Sequence, residues 1–348
     1  WIAEELIANG MADACMIGRA NLCDPEFSNK AKAGKSEDIR PCIGCLRCLN
    51  GIMFGKPIAC TMNPSFSLEN EDTILPADIK KKILVVGGGP AGMEAAYIAK
   101  KRGHDVVLCE KDSDLGGALK VACVPIGKQD LCQVIKWMRH RLEKENVNIQ
   151  TNTNVTLELL KTKFKDYEVI VSTGAKPLII NAFTQFKQWM SADDVLAGRA
   201  FPGRKIVIIG GGSVGCETAD YLAPLINDRF PRNRDVTVIE MAQEVMMNES
   251  GPGRSLLVQR MMKKGVKILV NTKVVAVEKD KIKYLQNGVE GVIDDADTLI
   301  FACGYQTDPA FENMLKELKM SYHLIGDAHQ VGNIKDAIGE AYRLARDV

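Results

Sequence analysis

The sequence predicts an α/β protein in which two dinucleotide-binding units with parallel sheets follow a short cysteine-rich segment. Strand, glycine turn, helix and second strand follow one another from Ile83 to Cys109, and the same succession recurs from Ile206 to Ile239. This succession is typical of a βαβ unit, so a parallel sheet is expected twice. Four cysteines between residues 42 and 60 set the preceding part of the chain apart.

The composition is that of an ordinary globular protein. Its 348 residues include 45 Lys and Arg against 44 Asp and Glu, a formal net charge of +1, and 46% are hydrophobic. This balance excludes a disordered or fibrous chain and offers no electrostatic attraction to nucleic acid or to an anionic membrane. The sequence contains no apolar run typical of a membrane span or a signal peptide. We expect a cytoplasmic protein that binds small-molecule cofactors and a substrate, forms at most a homo-oligomer, and binds neither nucleic acid nor membrane.

The first 82 residues are predicted to hold short elements and a linker. Residues 1–10 have the pattern of a helix end stopped by Gly10, residues 12–18 that of a short strand, and the residues up to Gly34 that of a polar helix. Residues 64–82 are polar and contain prolines, which is typical of a linker. Because the chain begins within a helical pattern and without a methionine, we expect it to be part of a longer protein.

The first glycine fingerprint is Gly87-Gly88-Gly89-Pro90-Ala91-Gly92, directly after the strand Ile83–Val86 and before the helix Met93–Lys101. Its glycines allow a tight turn and let main-chain N–H groups approach a pyrophosphate. The second strand ends in Glu110, where a carboxylate can bind ribose hydroxyls. The context favours nucleotide binding over a purely structural glycine turn.

The second fingerprint is Gly210-Gly211-Gly212-Ser213-Val214-Gly215, and its acidic residue is Glu240. The longer spacing to this acid is attributed to an insert at Pro224–Arg234. The residues after Glu240 include no Arg or Lys to receive a 2′-phosphate, which favours NAD(H) over NADP(H). Glu217, in the following helix, is predicted to be a local structural acid.

The sharpest motif is Cys42-x-x-Cys45-x-x-Cys48 followed by Cys60. Three closely spaced thiolates and one remote thiolate suit the four irons of a [4Fe–4S] cluster. Structural zinc prefers two separated C-x-x-C pairs, and a second pair is absent, so zinc and unligated thiols are the less favoured alternatives.

The chain resembles the two-dinucleotide flavoprotein reductases of the glutathione-reductase type over residues 82–348. The resemblance rests on Gly116-Gly117, on the segments 171–177, 298–304 and 324–327, and on the helix from Asn333. It implies NAD(H) at Gly210, Gly212, Gly215 and Glu240. It also implies FAD at Gly87, Gly89, Pro90, Ala91, Gly92, Glu110, Thr173, Gly174 and Asp327. Further cofactor contacts are expected at Lys111, Gly117, Val155, Gly304, Gly326 and Ala337, with the helix N-terminus at Asn333 directed at the flavin pyrimidine edge.

One feature departs from the disulfide reductases of that superfamily. They carry a close cysteine pair beside the flavin, whereas here only Cys123 follows Gly117 closely. We therefore expect no electron transfer to a disulfide. The seven cysteines outside the motif are expected to take no part in metal or redox chemistry.

The first part of the chain resembles the end of the barrel and the cluster region of the old-yellow-enzyme relatives that add two C-terminal domains. The resemblance rests on residues 14–19, Asp24-Pro25, residues 39–45 and residues 60–64. It implies a barrel remnant at 1–38, an iron–sulfur segment and linker at 39–81, an FAD domain at 82–197 and 303–348, and an NAD(H) domain at 198–302. Gly18 and Arg19 would then contact the phosphate of FMN.

The same resemblance implies the function. In the full family member, electrons pass from NADH to FAD, to the cluster, to FMN and then to an activated C=C bond of an enoate, enoyl-CoA ester or enone. A complete barrel needs about 250 residues, so the substrate residues are expected upstream and this chain is assigned no catalytic residue. The alternatives are an amine dehydrogenase of the trimethylamine-dehydrogenase type, whose C-terminal domains bind ADP structurally, and a freestanding ferredoxin-type NADH oxidoreductase.

Overall fold

The computed structural model describes residues 1–53, 55, 57–68, 73–224, 234–247, 249 and 252–348. The linker predicted at 64–82 is therefore described in part, and most of the insert predicted at Pro224–Arg234 lies outside the described residues. The α-helices are α1 (Ile2–Ala8), α2 (Arg19–Cys23), α3 (Phe27–Lys32), α4 (Arg47–Met53), α5 (Pro90–Lys101), α6 (Leu119–Ala122), α7 (Asp130–Lys144), α8 (Leu157–Lys161), α9 (Ala192–Leu196), α10 (Ser213–Leu222), α11 (Pro252–Lys263), α12 (Ala310–Leu318) and α13 (Ile334–Asp347). Short 3₁₀ turns occur at Ser36–Asp38, Asn181–Phe183 and Gly326–Ala328.

The strands fall into four sheets. They are β1 (Lys82–Val86), β2 (Asp105–Cys109), β3 (Asn148–Gln150), β4 (Glu168–Val171), β5 (Ala175–Pro177), β6 (Trp189–Ser191), β7 (Lys205–Ile209), β8 (Asp235–Ile239), β9 (Lys267–Leu269), β10 (Thr272–Val277), β11 (Ile282–Gln286), β12 (Val289–Ile293), β13 (Thr298–Phe301), β14 (Tyr305–Thr307) and β15 (Tyr322–Leu324).

The first unit is a five-stranded parallel sheet in the order β15-β4-β1-β2-β3. Strand β1 carries apolar side chains on both faces, since other elements cover both faces of the sheet. Ile83 and Val85 belong to a core shared with α5, α7 and α13, while Leu84 and Val86 belong to a second core that includes Leu315 of α12. The first fingerprint therefore follows the central strand of a fully buried sheet.

The second unit repeats this plan in the order β6-β13-β7-β8-β9, again parallel. Ile206 and Ile208 of β7 pack with α10 and α11, and Val207 and Ile209 pack towards the antiparallel sheet β10-β11-β12. The predicted α/β class with two parallel-sheet units is confirmed. The domain boundaries stay a prediction.

Two short strands connect the units. Strand β5 leaves the first unit and β14 returns to it, and they pair antiparallel from Ala175 opposite Thr307 to Pro177 opposite Tyr305. The Tyr305 hydroxyl donates a hydrogen bond of 2.6 Å to Asp193 of α9. The chain thus crosses between the units twice at one place.

The N-terminal residues differ in one element from the prediction. Residues 2–8 are helical, as expected, but residues 12–18 form no strand. A strand is held by hydrogen bonds to a neighbouring strand, and within the described residues none pairs with this segment. Asp38 instead fixes the following segment to α7, with its carboxylate 2.6 Å from Lys144 Nζ and 2.8 Å from His140 Nε2.

The described part of the chain contains no helix that is both long and apolar enough to cross a membrane.

Candidate functional site

The first glycine of each fingerprint is required by the protein's own packing. Gly87 and Gly210 both have φ of +105°. A Cβ atom on Gly87 would lie 2.3 Å from the carbonyl oxygen of Ser172, and one on Gly210 would lie 2.2 Å from that of Ala302. Both positions are therefore closed to any other residue, whether or not a nucleotide binds.

Within each fingerprint, the third glycine is tightly packed, whereas the second glycine has open space beside it. A Cβ on Gly92 or Gly215 would lie 1.9 Å from the carbonyl oxygen of the first glycine, so helix and turn touch there. At Gly212 a Cβ would meet no atom within 4 Å, and at Gly89 only Gly117 Cα at 4.0 Å. Internal packing therefore does not explain the second glycine, whereas close approach by a pyrophosphate does.

The two acidic residues hold equivalent positions. Glu110 Oε2 accepts a hydrogen bond of 2.6 Å from Gly88 N–H, and Glu240 Oε2 accepts one of 2.7 Å from Gly211 N–H. The other oxygen of each carboxylate accepts from the N–H two residues further on, at 2.9 and 2.8 Å. A carboxylate has about four acceptor positions, so each retains capacity for ribose hydroxyls.

The late segment around Asp327 packs against the start of α5. A Cβ on Gly326, whose φ is +59°, would lie 2.9 Å from the Cβ of Ala91 and 3.7 Å from that of Ala337. Asp327 is half-buried and accepts a hydrogen bond of 3.0 Å from Gly332 N–H, and burial raises the pKa of its carboxyl. Five predicted cofactor-binding residues from distant parts of the sequence, Gly89, Ala91, Gly117, Gly326 and Ala337, thus lie close together.

The N-terminus of α13 is closed by a capping box. Asn333 Oδ1 accepts from the N–H groups of Lys335 and Asp336, and the Asp336 carboxylate accepts from Asn333 N–H. Three of the main-chain donors at this N-terminus are therefore already engaged. Its predicted interaction with a flavin stays a prediction.

The other predicted nucleotide contacts lie in different environments. Thr173 lines an open cavity of about 390 Å³ together with the start of α12 and with Ala328 and His329, next to Asp327. Gly174 and Gly304 have positive φ values of 78° and 98° beside the crossing strands. Pro90 is the first residue of α5, Lys111 is exposed and Val155 is buried in the core of the first unit.

A second cavity lies in the N-terminal segment and is lined by all four cysteines of the motif. Its lining also includes Arg19 and Cys23. Cys42 and Cys45 are exposed, Cys48 and Cys60 are half-buried, and Cys23 is fully buried. Sequence reasoning missed Cys23, because nothing in the spacing of residues 23 and 60 indicates that they meet.

Two of the motif cysteines, Cys45 and Cys60, have hydrogen-bonding groups beside their sulfurs. The Cys23 thiol and the N–H groups of Met62 and Asn63 are hydrogen-bonded to the sulfur of Cys60 and lower the pKa of that thiol, against the effect of burial. The Thr61 hydroxyl lies 3.2 Å from the sulfur of Cys45. Such donors stabilise thiolates, the form that binds iron, so the residues present fit an iron–sulfur cluster.

The cysteines do not converge on a single point. Among the described residues, no three His, Cys, Asp or Glu side chains form a group that could hold one metal ion. Thiolates around a cluster bind different irons, and they need not meet at one atom as zinc ligands must.

Gly18 and Arg19, the predicted FMN residues, lie at the start of α2. Gly18 is the N-cap of this five-residue helix, and Arg19 faces the cysteine cavity. The FMN assignment stays a prediction.

The expectation that Cys123 has no partner is wrong. Cys123 and Cys132 form a disulfide that closes the loop between α6 and α7. The two residues are nine positions apart, a spacing that matches no redox motif, and only the turn between the helices brings them together. Cys109 and Cys216, which also lie outside the motif, are buried in the cores of the first and second units.

The disulfide-closed loop contacts the second unit. Lys128 Nζ lies 2.7 Å from Glu217 Oε1 of α10, and Arg260 of α11 donates a hydrogen bond of 3.3 Å to the carbonyl oxygen of Ile126. Glu217 therefore takes part in an ion pair between the two units.

The part of the chain that contains the two nucleotide-binding units matches a known family. The model of the pyridine nucleotide-disulphide oxidoreductase family matches residues 81–333. The chain belongs to this family. Its sheets, crossing strands and paired fingerprints are thus those of an oxidoreductase that uses a pyridine nucleotide and a flavin.

Relatives extend the likeness to the whole chain. An NADH oxidase from Thermoanaerobacter brockii is 34% identical over 99% of this chain and 53% of its own length. A cinnamate reductase from Clostridium sporogenes is 32% identical over 100% of this chain and 51% of its own length. The solved structure of 2-naphthoyl-CoA reductase in complex with 2-naphthoyl-CoA has 27% identity and a TM-score of 0.92, covering 100% of this chain and 52% of that one. The resemblance to the C-terminal part of the old-yellow-enzyme-type reductases is confirmed, and the chain spans about half the length of the curated relatives it matches.

Amine dehydrogenases also match this chain, at lower identity.

Proposed function

We propose that this chain is the electron-delivery part of an NADH-dependent flavin oxidoreductase that reduces activated C=C bonds of enoates, enoyl-CoA esters or enones. FAD is assigned to the first unit, NADH to the second and a [4Fe–4S] cluster to Cys42, Cys45, Cys48 and Cys60. FMN is assigned to the whole protein, with Gly18 and Arg19 at its phosphate. The relative named as a cinnamate reductase supports this substrate class, and the relative named as an NADH oxidase supports NADH as the electron donor.

The observation that carries the proposal is the equivalence of the two nucleotide units. Each has a second glycine with open space beside it and a carboxylate held by the fingerprint N–H groups. The first unit adds Asp327, which the family resemblance assigns to FAD. On this basis we assign the flavin dinucleotide to the first unit and NADH to the second.

The protein's part in the reaction is to bind and orient. Main-chain N–H groups at the N-termini of α5 and α10, from Gly89 and Gly212 onward, would hold the two pyrophosphates, and Glu110 and Glu240 the riboses. Bound FAD would supply the conversion of a two-electron hydride into single electrons, which an iron–sulfur cluster carries one at a time. The residues after Glu240 are Met241, Ala242 and Gln243, so no basic side chain in that stretch meets a 2′-phosphate.

The test is turnover by the purified chain, with FAD and cluster bound, under anaerobic conditions. We expect it to oxidise NADH with an artificial one-electron acceptor and to leave an enoate unreduced. A protein that takes up no FAD contradicts the first expectation, and enoate reduction by this chain alone contradicts the second.

The alternative is an amine dehydrogenase in which the nucleotide units bind ADP and only support the structure. This alternative is retained because amine dehydrogenases are among the relatives of this chain. Chromatography of the nucleotide released from the denatured protein separates the two, because FAD supports the reductase and ADP the amine dehydrogenase.

A further inference from the structure

The cysteine cavity contains a fifth thiol that the ligand motif does not include. Cys23, the last residue of α2, is 0% exposed and lines the same cavity as the four motif cysteines. Its thiol donates a hydrogen bond of 3.4 Å to the carbonyl oxygen of Pro41, and the sulfur of Cys60 lines the same cavity. A buried thiol outside a ligand set, but beside one of the ligands, lies where it can modify that ligand.

The main chain around Cys23 is held in place from several directions. Asp24 accepts a hydrogen bond of 2.7 Å from Arg40 N–H and one of 3.1 Å from Glu26 N–H. Asn63 Nδ2 donates to the carbonyl oxygen of Leu22 at 3.2 Å. Because Asn63 lies three residues after Cys60, this hydrogen bond ties the two cysteines' segments together.

The Cys23 thiol donates to a neutral acceptor, the carbonyl oxygen of Pro41, at 3.4 Å. The sulfur of Cys60, in the same cavity, is the acceptor that would carry charge in a bound cluster. A hydrogen bond to an ionised acceptor is roughly twice as strong as one between neutral groups. A Cys60 thiolate bound to iron therefore competes well for this proton against the neutral carbonyl.

We propose that the Cys23 thiol donates a hydrogen bond to the sulfur of Cys60 in the bound cluster and thereby raises the reduction potential of the cluster. Hydrogen bonds to the sulfurs are among the factors that set this potential. Reduction adds one negative charge, which a donor at the ligand sulfur stabilises. Cys23 is thus a positioning residue and not a fifth ligand. The inference rests on the proposed function, because it requires a cluster at the motif cysteines.

The test is a potentiometric titration of the whole chain with its cluster, followed by electron paramagnetic resonance of the reduced cluster. Cys23→Ala and Cys23→Val remove the donor, and Cys23→Ser restores one. In C23A and C23V we expect wild-type iron content and a reduced-to-oxidised ratio lower by about three- to tenfold at a fixed potential, where tenfold corresponds to about 59 mV. C23S is expected to return towards the wild-type value.

The matched control is Cys216→Ala. Cys216 is also 0% exposed, and its thiol also donates to a carbonyl oxygen at 3.4 Å, that of Gly211, but it lies in the second unit. We expect C216A to leave the cluster potential unchanged. A shift in the cluster potential of C216A as large as that of C23A would show that loss of any buried thiol changes this potential, and would overturn the proposal.

Three other results would also overturn it. One is a wild-type potential in C23A and C23V, and another is loss of iron from C23A, C23V and C23S alike, which would indicate that Cys23 is a ligand. The third is retention of four irons by Cys60→Ala, which would indicate that Cys23 can replace Cys60. A wild-type protein that takes up no cluster refutes the proposed function itself, which distinguishes that failure from these three.

Discussion

The second glycine of each fingerprint offers a way to remove one cofactor without disturbing the fold. Gly89 has φ −74° and ψ −177°, and Gly212 has φ −68° and ψ −175°, values that alanine adopts without strain. A Cβ added at either position meets no protein atom closer than 4.0 Å. Gly89→Ala and Gly212→Ala are therefore expected to fold with wild-type stability.

In the bound state the same Cβ would occupy space that the pyrophosphate needs. Overpacking by one methyl group costs about 1–3 kcal/mol, which corresponds to about 5- to 150-fold weaker binding. We expect G89A to lose this factor in FAD affinity while NADH binding is kept, and G212A to lose it in NADH affinity while FAD is kept. Gly253→Ala is the control, since Gly253 in α11 also has open space around it and lies outside both fingerprints.

The assay is fluorescence titration of each apo variant with FAD, and titration of each FAD-loaded variant with NADH, after thermal melts have confirmed folding. FAD affinity of G89A equal to that of the wild type would refute the reasoning, because the open space would then not be the pyrophosphate site. Loss of FAD from G212A with NADH binding kept would refute the assignment of the two units.

Two further predictions concern stability. The disulfide closes a loop of about ten residues. In the chain-entropy model, a Cys123→Ser/Cys132→Ser variant should therefore lose up to about 2.5–3 kcal/mol of unfolding free energy. Urea unfolding without reductant measures this loss, and equal urea midpoints for the wild type and the variant would contradict it. Hydrogen bonds from Lys144 and then His140 lower the pKa of Asp38 to about 2, so its stabilising contribution is complete above about pH 4 and is lost as the pH falls to about 2. The urea midpoint of the wild type should therefore exceed that of Asp38→Asn at pH 6 and equal it near pH 2, and a difference that persists at pH 2 would contradict the assignment.

The parts of the fold that local pattern specifies could be predicted from the sequence. Strands β2 and β8 end at the predicted residues, Cys109 and Ile239, because apolar runs that follow a glycine turn and helix leave few alternatives. The strand expected at residues 12–18 was wrong, since a strand depends on a partner that its own sequence does not specify.

The candidate site also contains some features that local sequence patterns predict and others that they do not. The four motif cysteines line one cavity, and their spacing in the sequence already indicated this. The approach of Cys23 to Cys60 and the pairing of Cys123 with Cys132 depend on how distant segments pack, and no local pattern encodes either. The contact of Gly326 with Ala91 brings together residues more than 200 positions apart, and only the family resemblance indicated it.

The central claim is that one chain holds a flavin, a cluster and an NADH site in electronic contact. An anaerobic ultraviolet–visible spectrum, recorded after incubation with FAD, iron and sulfide and removal of the excess, and again after one equivalent of NADH, tests it most directly. We predict flavin bands on a broad iron–sulfur absorbance, with both decreasing when NADH is added. Flavin bands that NADH leaves unchanged, or a protein with neither absorbance, would contradict the account.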